Sequence, residues 1–218
     1  MAPKTGKRSE TAEGAEHNQP GTGRIEAFSD GVIAIIITIM VLELRLPAGA
    51  VDRGIWAGVL LPLAPKLISY AMSFIIVGIL WVNHHQLLPT APIATRRLMW
   101  WNNNVLFWMS LIPFVTGFLG EHPFLPTAVA LYGLVLCICA LSFLLLRLHI
   151  QAVTKNPAVI EAHHLRVLRK MIIAAALYAA SVPLAFVSVY MAMGIFALVP
   201  IVFFLPEALP KKLPEELQ

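Results

Sequence analysis

The chain has 218 residues, 58% of them hydrophobic and only 13% charged, with a formal net charge of +4 and a mean hydropathy of +0.76. Soluble domains carry about a quarter charged residues, so an ordinary cytosolic enzyme is excluded. The apolar residues gather into runs of about 20 or more, the length an α-helix needs to cross about 30 Å of hydrocarbon. The composition is that of a polytopic all-α membrane protein, with no room for a second soluble domain.

In chain order, residues 1–23 mix Lys4, Lys7 and Arg8 with Glu10, Glu13 and Glu16 and hold no apolar stretch, which predicts a disordered tail. Apolar runs follow at Ala27 to Leu46, Lys66 to Leu88, Leu98 to Leu119, Leu125 to Ile150 and Met171 to Leu205. The last would make a helix of about 52 Å, too long for one crossing, so it is divided near Tyr190 to Gly194 into a fifth span and a shorter sixth. The expected organisation is a six-span domain over residues 24–206 and a polar tail over 207–218.

With six crossings both tails share one side. Lys4, Lys7, Arg8 and Arg24 precede span one, Arg96 and Arg97 separate spans two and three, Arg147, Lys155, Arg166, Arg169 and Lys170 separate four and five, and Lys211 and Lys212 end the chain. Of the 16 Lys and Arg, only Arg45, Arg53 and Lys66 fall on the other side. The positive-inside rule therefore predicts cytoplasmic termini. Topology accounts for the basic balance, and a nucleic-acid partner is not needed. The basic leader, the run Gly31 to Leu42 and Ala48-Gly49-Ala50 imitate a secretory signal, but the leader is long and acidic, and Glu43 and Arg45 precede the imitation cleavage site. Cys137 and Cys139 lie about 200° apart around a helix and read as small hydrophobes, not a disulfide.

Ionisable groups inside a span are costly and mark candidate sites. With Ile35 at zero and about 100° per residue, Phe28, Gly31, Ile35, Thr38, Ile39, Leu42 and Leu46 share an arc of about 100°, while Asp30 lies at about 220° with Ser29 beside it. Trp81 leads into Asn83, His84, His85 and Gln86 where span two reaches the cytoplasmic side. Trp100 and Trp101 lead into Asn102, Asn103 and Asn104 where span three leaves it. These groups share one depth, which predicts a hydrogen-bonded cluster joining the first three spans, with Asp30 as acceptor and His or Asn as donors. Two plainer readings stand beside it: the Trp residues as interfacial anchors, and Thr38 as a hydroxyl bonded back to a carbonyl one turn earlier. Adjacent His residues diverge by about 100°, and no His-x-x-x-His spacing occurs, so no resident metal is expected at His84/His85 or His163/His164.

Arg24-Ile25-Glu26-Ala27-Phe28-Ser29-Asp30, continued by Gly31-Val32-Ile33-Ala34, resembles the Arg-x-x-x-Phe-Ser-Asp signature of the transmembrane-protein-175 potassium channels. Trp81-Val82-Asn83-His84-His85 and Ile112-Pro113-Phe114-Val115-Thr116 are similar to that family's second- and third-span motifs. Gln86 departs from it, standing where a basic residue is expected. The likeness covers spans one to three by motif and spans four to six by hydropathy only.

The resemblance implies a potassium-favouring cation channel in a prokaryotic plasma membrane, with potassium as permeant and no other cofactor. One signature occurs in the chain, which implies the single-repeat type, a homotetramer embedded in membrane lipid with four first spans around one axis. Carried over residue by residue, the bulky constriction falls on Ile35, Ile39 and Leu42, with Thr38 as a hydroxyl ring. Arg24, Phe28, Ser29 and Asp30, with Trp81, Asn83, His84, His85, Trp101, Asn102 and Asn103, then form the polar network holding the pore helix. There is no Thr-Val-Gly-Tyr-Gly loop to supply a carbonyl filter. A secondary transporter is the rival reading, with Pro113, Pro183 and Pro200 as helix breakers; it lacks interrupted spans repeated between the two halves of the chain. A membrane-embedded enzyme would need a nucleophile motif, a metal spacing or a carboxylate pair in the spans.

Overall fold

The structure is a computed structural model that describes residues 21–45, 54–154 and 161–204. Most of the two predicted tails, the Ala48-Gly49-Ala50 segment, Arg53, Lys155, Lys211 and Lys212 lie outside the described residues. Every described element is helical: α1 (Gly23–Leu42), a π-helical turn (Ile55–Leu60) leading into α2 (Leu61–Leu87) and a closing 3-10 turn (Leu88–Thr90), then α3 (Arg96–Met109), α4 (Ile112–Glu121), α5 (Pro126–Val153), α6 (Glu161–Val187) and α7 (Val189–Phe204). Five stretches are long and apolar enough to cross a membrane: Gly23–Leu42, Ile55–Thr90, Arg96–Glu121, Pro126–Val153 and Leu165–Val187. The sixth, α7, is apolar but has only 16 residues.

Three boundaries differ from expectation. Span two begins near Ile55 instead of Lys66: Gly54 enters it at a left-handed φ of 78°, and the π-turn runs on into α2 through the Leu61 amide, which donates to the Trp56 carbonyl. Span three is interrupted at Ser110 and Leu111. There the Ser110 hydroxyl donates to the Phe107 carbonyl at 2.7 Å, and Pro113 has no amide hydrogen to carry the ladder across. The final run breaks at Ser188, earlier than Tyr190 to Gly194. Ser188 accepts from the Met191 amide at 3.5 Å, an N-cap that starts α7, and that hydroxyl was the missed signal.

The rings of Tyr178 and Phe196 sit on opposite sides of that break with centroids 6.3 Å apart. A continuous helix would separate them by about 27 Å along its axis, so α6 and α7 form a hairpin. The other contacts fix the alternation of direction. Thr154, after α5, donates to the Thr90 carbonyl, after α2, at 3.4 Å; Phe124, before α5, pairs with Tyr190 at the start of α7 at 6.0 Å. Phe203, near the end of α7, lines one cavity with Asn83, near the end of α2. Both ends of the described chain therefore lie at the same end of the bundle.

α5 is the central post, packing on α3, α4, α6 and α7. Close approach rests on glycine, as packing within lipid requires. A Cβ on Gly133 of α5 would collide with the Ser181 hydroxyl and come within 3.2 Å of the Phe196 ring, and one on Gly120 of α4 would come within 3.0 Å of the Lys66 Cα. Cys137 and Cys139 are buried and free. By contrast α1 packs only on α2, α3 and α4 among its principal neighbours. Its apolar window is 28% buried against 61% for α5, which places α1 at the edge of the single chain.

Candidate functional site

The buried face of α1 is the row Ile25, Ser29, Ile33, Ile36 and Met40, at the three- and four-residue intervals that make one helical stripe. Within it Ser29 is the one polar side chain, and its environment supplies every bond it needs. The Ser29 hydroxyl donates to the Ile25 carbonyl at 2.7 Å and accepts from Asn102 Nδ2 of α3 at 2.9 Å. Asn102 Oδ1 lies 2.7 Å from His84 Nε2 of α2. An amide oxygen only accepts, so His84 donates from Nε2. The result is a directed relay: His84 to Asn102, Asn102 to Ser29, Ser29 to the backbone of α1. All three side chains are buried, and the edge of the Phe143 ring, 6.1 Å from the His84 centroid, closes it on the α5 side.

Asp30 is outside this relay. Its Oδ1 accepts from Trp81 Nε1 at 2.9 Å, and the Trp81 indole stacks on His85 at 5.7 Å and 26°. The expected single cluster is thus two adjacent ones, and the correction concerns the donor. Asp30 is met by Trp81, not by His or Asn, because it points about 100° away from the face carrying Ser29. Trp81 is therefore a network member as well as an aromatic at the helix end. Asn83 is not joined to either cluster; it donates to the Ile79 carbonyl of its own helix at 2.8 Å. Trp101 packs against His149 at 6.4 Å, while Arg24 and Asn103 are exposed.

The stripe predicted on α1 lies on the opposite side from its packed face. Phe28, Ile35 and Leu42 are 57%, 57% and 67% exposed, and Ile39 and Thr38 are exposed with them. The Thr38 hydroxyl donates back to the Ala34 and Ile35 carbonyls, each at 3.0 Å, which is the plain reading of that residue. One face of α1 is thus a largely exposed apolar surface with a single hydroxyl, and Ile35 and Ile39 at its edge share an open depression with Pro113 and Phe114 of α4.

Two features were missed. At mid-bundle the hydroxyls of Ser73 (α2), Tyr132 (α5) and Thr116 (α4) meet, with Ser73 and Tyr132 at 2.8 Å and Thr116 2.7 Å from both Ser73 Oγ and the Ile112 carbonyl. Three hydroxyl protons satisfy three contacts, as a buried polar group in an apolar bundle requires. Scattered Ser and Thr in apolar helices carry no sequence periodicity that would have paired them. At the far end of α1, the Glu43 carboxylate lies over Gly117 of α4, where an added Cβ would meet Oε2 at 2.8 Å. Beside it Lys66 and Glu121 form an ion pair at 2.9 Å. No group of three or more His, Cys, Asp or Glu able to hold a metal occurs among the described residues.

Fold and site together define a polytopic all-α membrane protein whose first helix is tied down at its start and exposed along one face. The family model described as "Endosomal/lysosomal potassium channel TMEM175" matches residues 24–113, the span that carries both polar clusters. A potassium channel of Chryseobacterium sp. is 39% identical over 85% of this chain and 93% of its own length. The crystal structure of a lysosomal potassium-selective channel TMEM175 homolog from Chamaesiphon minutus superimposes with a TM-score of 0.72 at 30% identity, covering 84% of this chain and 95% of that one. The human endosomal/lysosomal proton channel TMEM175 is 35% identical, over 38% of this chain and 18% of its own length. The chain belongs to the TMEM175 family.

Proposed function

We propose that the protein is a passive potassium-selective channel, assembled from four copies with α1 of each around a common axis. The observation that carries this reading is the bare face of α1. A helix in this position with an apolar face cannot enclose a conduit alone, and four copies around an axis give that face both a partner and a use. Ile35, Ile39 and Leu42 then form successive apolar rings, closed by dewetting when narrow, with the Thr38 oxygens beside them to replace part of an ion's hydration shell. Potassium sheds water at lower cost than sodium, so an apolar constriction favours it without a carbonyl filter. Ser29 and Asp30, bonded to Asn102 and Trp81, act as scaffold at the cytoplasmic end, while Phe28 lies on the bare face. The subunit sits in a prokaryotic plasma membrane, multi-pass, with both termini cytoplasmic, as the cationic loops support.

The test is potassium and sodium flux in liposomes, measured side by side for the wild type and Ile35→Asn. The expected result is a wild-type preference for potassium that falls toward unity in the variant, because the amide hydrates the constriction. An unchanged ratio and conductance in Ile35→Asn and Leu42→Asn would remove the pore assignment. Flux that saturates with substrate or moves in step with protons would make the protein a transporter, whereas unitary current steps are those of a channel.

A further inference from the structure

The first turns of α3 carry a second surface that the pore does not use. Arg96, Arg97, Trp100, Trp101 and Asn104 line one open depression. Both arginines are exposed, neither forms an ion pair among the described residues, and the first turn of α3 holds no acidic residue. The positive charge is added to by the helix start, where the Thr95 hydroxyl accepts from the Leu98 amide at 3.1 Å while the Arg96 and Arg97 amides have no intrahelical acceptor. Trp101 is a fixed wall, held by its contact with His149 of α5. Below these residues Arg96, Trp100 and Phe107 fall within about 40° of one another, and the Trp100 and Phe107 rings are exposed, with the exposed Asn103 amide between them.

We propose that this depression binds the headgroup of an anionic phospholipid from the cytoplasmic leaflet. The phosphodiester would sit between the Arg96 and Arg97 guanidinium groups, the indoles would lie at ester depth, and an acyl chain would run along Phe107. Charge at the top, amphipathic rings at the interface and the exposed Phe107 ring deeper in the bilayer fit a lipid, whereas a free anion would use only the first. The inference rests on the orientation proposed above, which places this end of α3 at the cytoplasmic surface, but not on ion conduction.

Native mass spectrometry of the full-length protein in detergent, titrated with phosphatidylglycerol or phosphatidylcholine, tests it without reading flux. The expected result is preferential retention of phosphatidylglycerol by the wild type. At about a fivefold effect per arginine, Arg96→Gln/Arg97→Gln should weaken that binding on the order of 30-fold, and Arg166→Gln/Arg169→Gln by no more than about twofold. Equal retention of the two lipids by the wild type overturns the proposal with no variant needed. Equal losses in the two double variants would reduce it to general surface charge, and displacement of the lipid by millimolar inorganic phosphate would assign the depression to a free anion; either result overturns it as well.

Discussion

Asn102→Leu tests the relay that ties α1 to the bundle. The substitution keeps the branching of the side chain, with methyl groups bulkier than the amide's oxygen and nitrogen, but removes two bonds at once, 2.7 Å to His84 and 2.9 Å to Ser29. Ser29 loses a donor yet keeps its own bond to the Ile25 carbonyl, so its share is small, about 0.6 kcal/mol, typical of a hydrogen bond between membrane helices. His84 is left with a buried donor facing a methyl group, and that costs about 1–3 kcal/mol. The sum is about 1.6–3.6 kcal/mol, which for a chain of this size lowers the unfolding midpoint by roughly 3–14 °C. The measurement is the thermal midpoint of the detergent-solubilised protein followed by tryptophan fluorescence, for Ser29→Ala, Asn102→Leu and the double variant. Ser29→Ala should cost about 1 kcal/mol alone and much less once Asn102 is gone. Strict additivity, or a shift under about 1 °C for Asn102→Leu, would show that the relay is incidental to stability.

Trp81→Phe keeps the ring that stacks on His85 but removes the donor to Asp30, and should lower stability by about 1 kcal/mol; Asp30→Ala should reduce the yield of oligomer on size exclusion without changing the ion selectivity of what is recovered. Gly120→Val forces a branched side chain against the Lys66 backbone 3.0 Å from the added Cβ, and should cost about 1–3 kcal/mol in the same thermal assay. Glu121→Gln breaks an ion pair whose partners have 22% and 54% exposed side chains, so the midpoint should move by less than the equivalent of about 1 kcal/mol.

The spans, their number and the depth of the polar groups were legible because each depends on a property that adds along the chain: apolar length, cationic loops and the position of Asn and His relative to both. The two-faced character of α1 was equally readable, since a stripe of Ile35, Thr38, Ile39 and Leu42 follows from helix periodicity alone. What periodicity does not encode is which side of a polar residue meets which neighbour. Asp30 and Ser29 are consecutive, and a rotation of about 100° sends one to Trp81 and the other to Asn102. The Ser73, Thr116 and Tyr132 hydroxyls come from three helices, so their meeting depends on helix packing. The break at Ser188 was misplaced because a lone Ser within an apolar run looks like any other small residue until it caps.

The interruption of span three has a mechanical consequence. α1 touches span three at two places: Ser29 is bonded by Asn102 on α3, and the Glu43 side chain lies against Gly117 on α4. These two contacts lie on opposite sides of Ser110 and Leu111, where the α3 ladder stops and α4 begins. A rigid span three would fix the angle of α1 completely. An elbow between the contacts instead leaves one coordinate free, the bend of α3 against α4. The helix bearing the bare apolar face therefore meets span three on both sides of its break, and the bend between α3 and α4 sets the relative position of those two contacts.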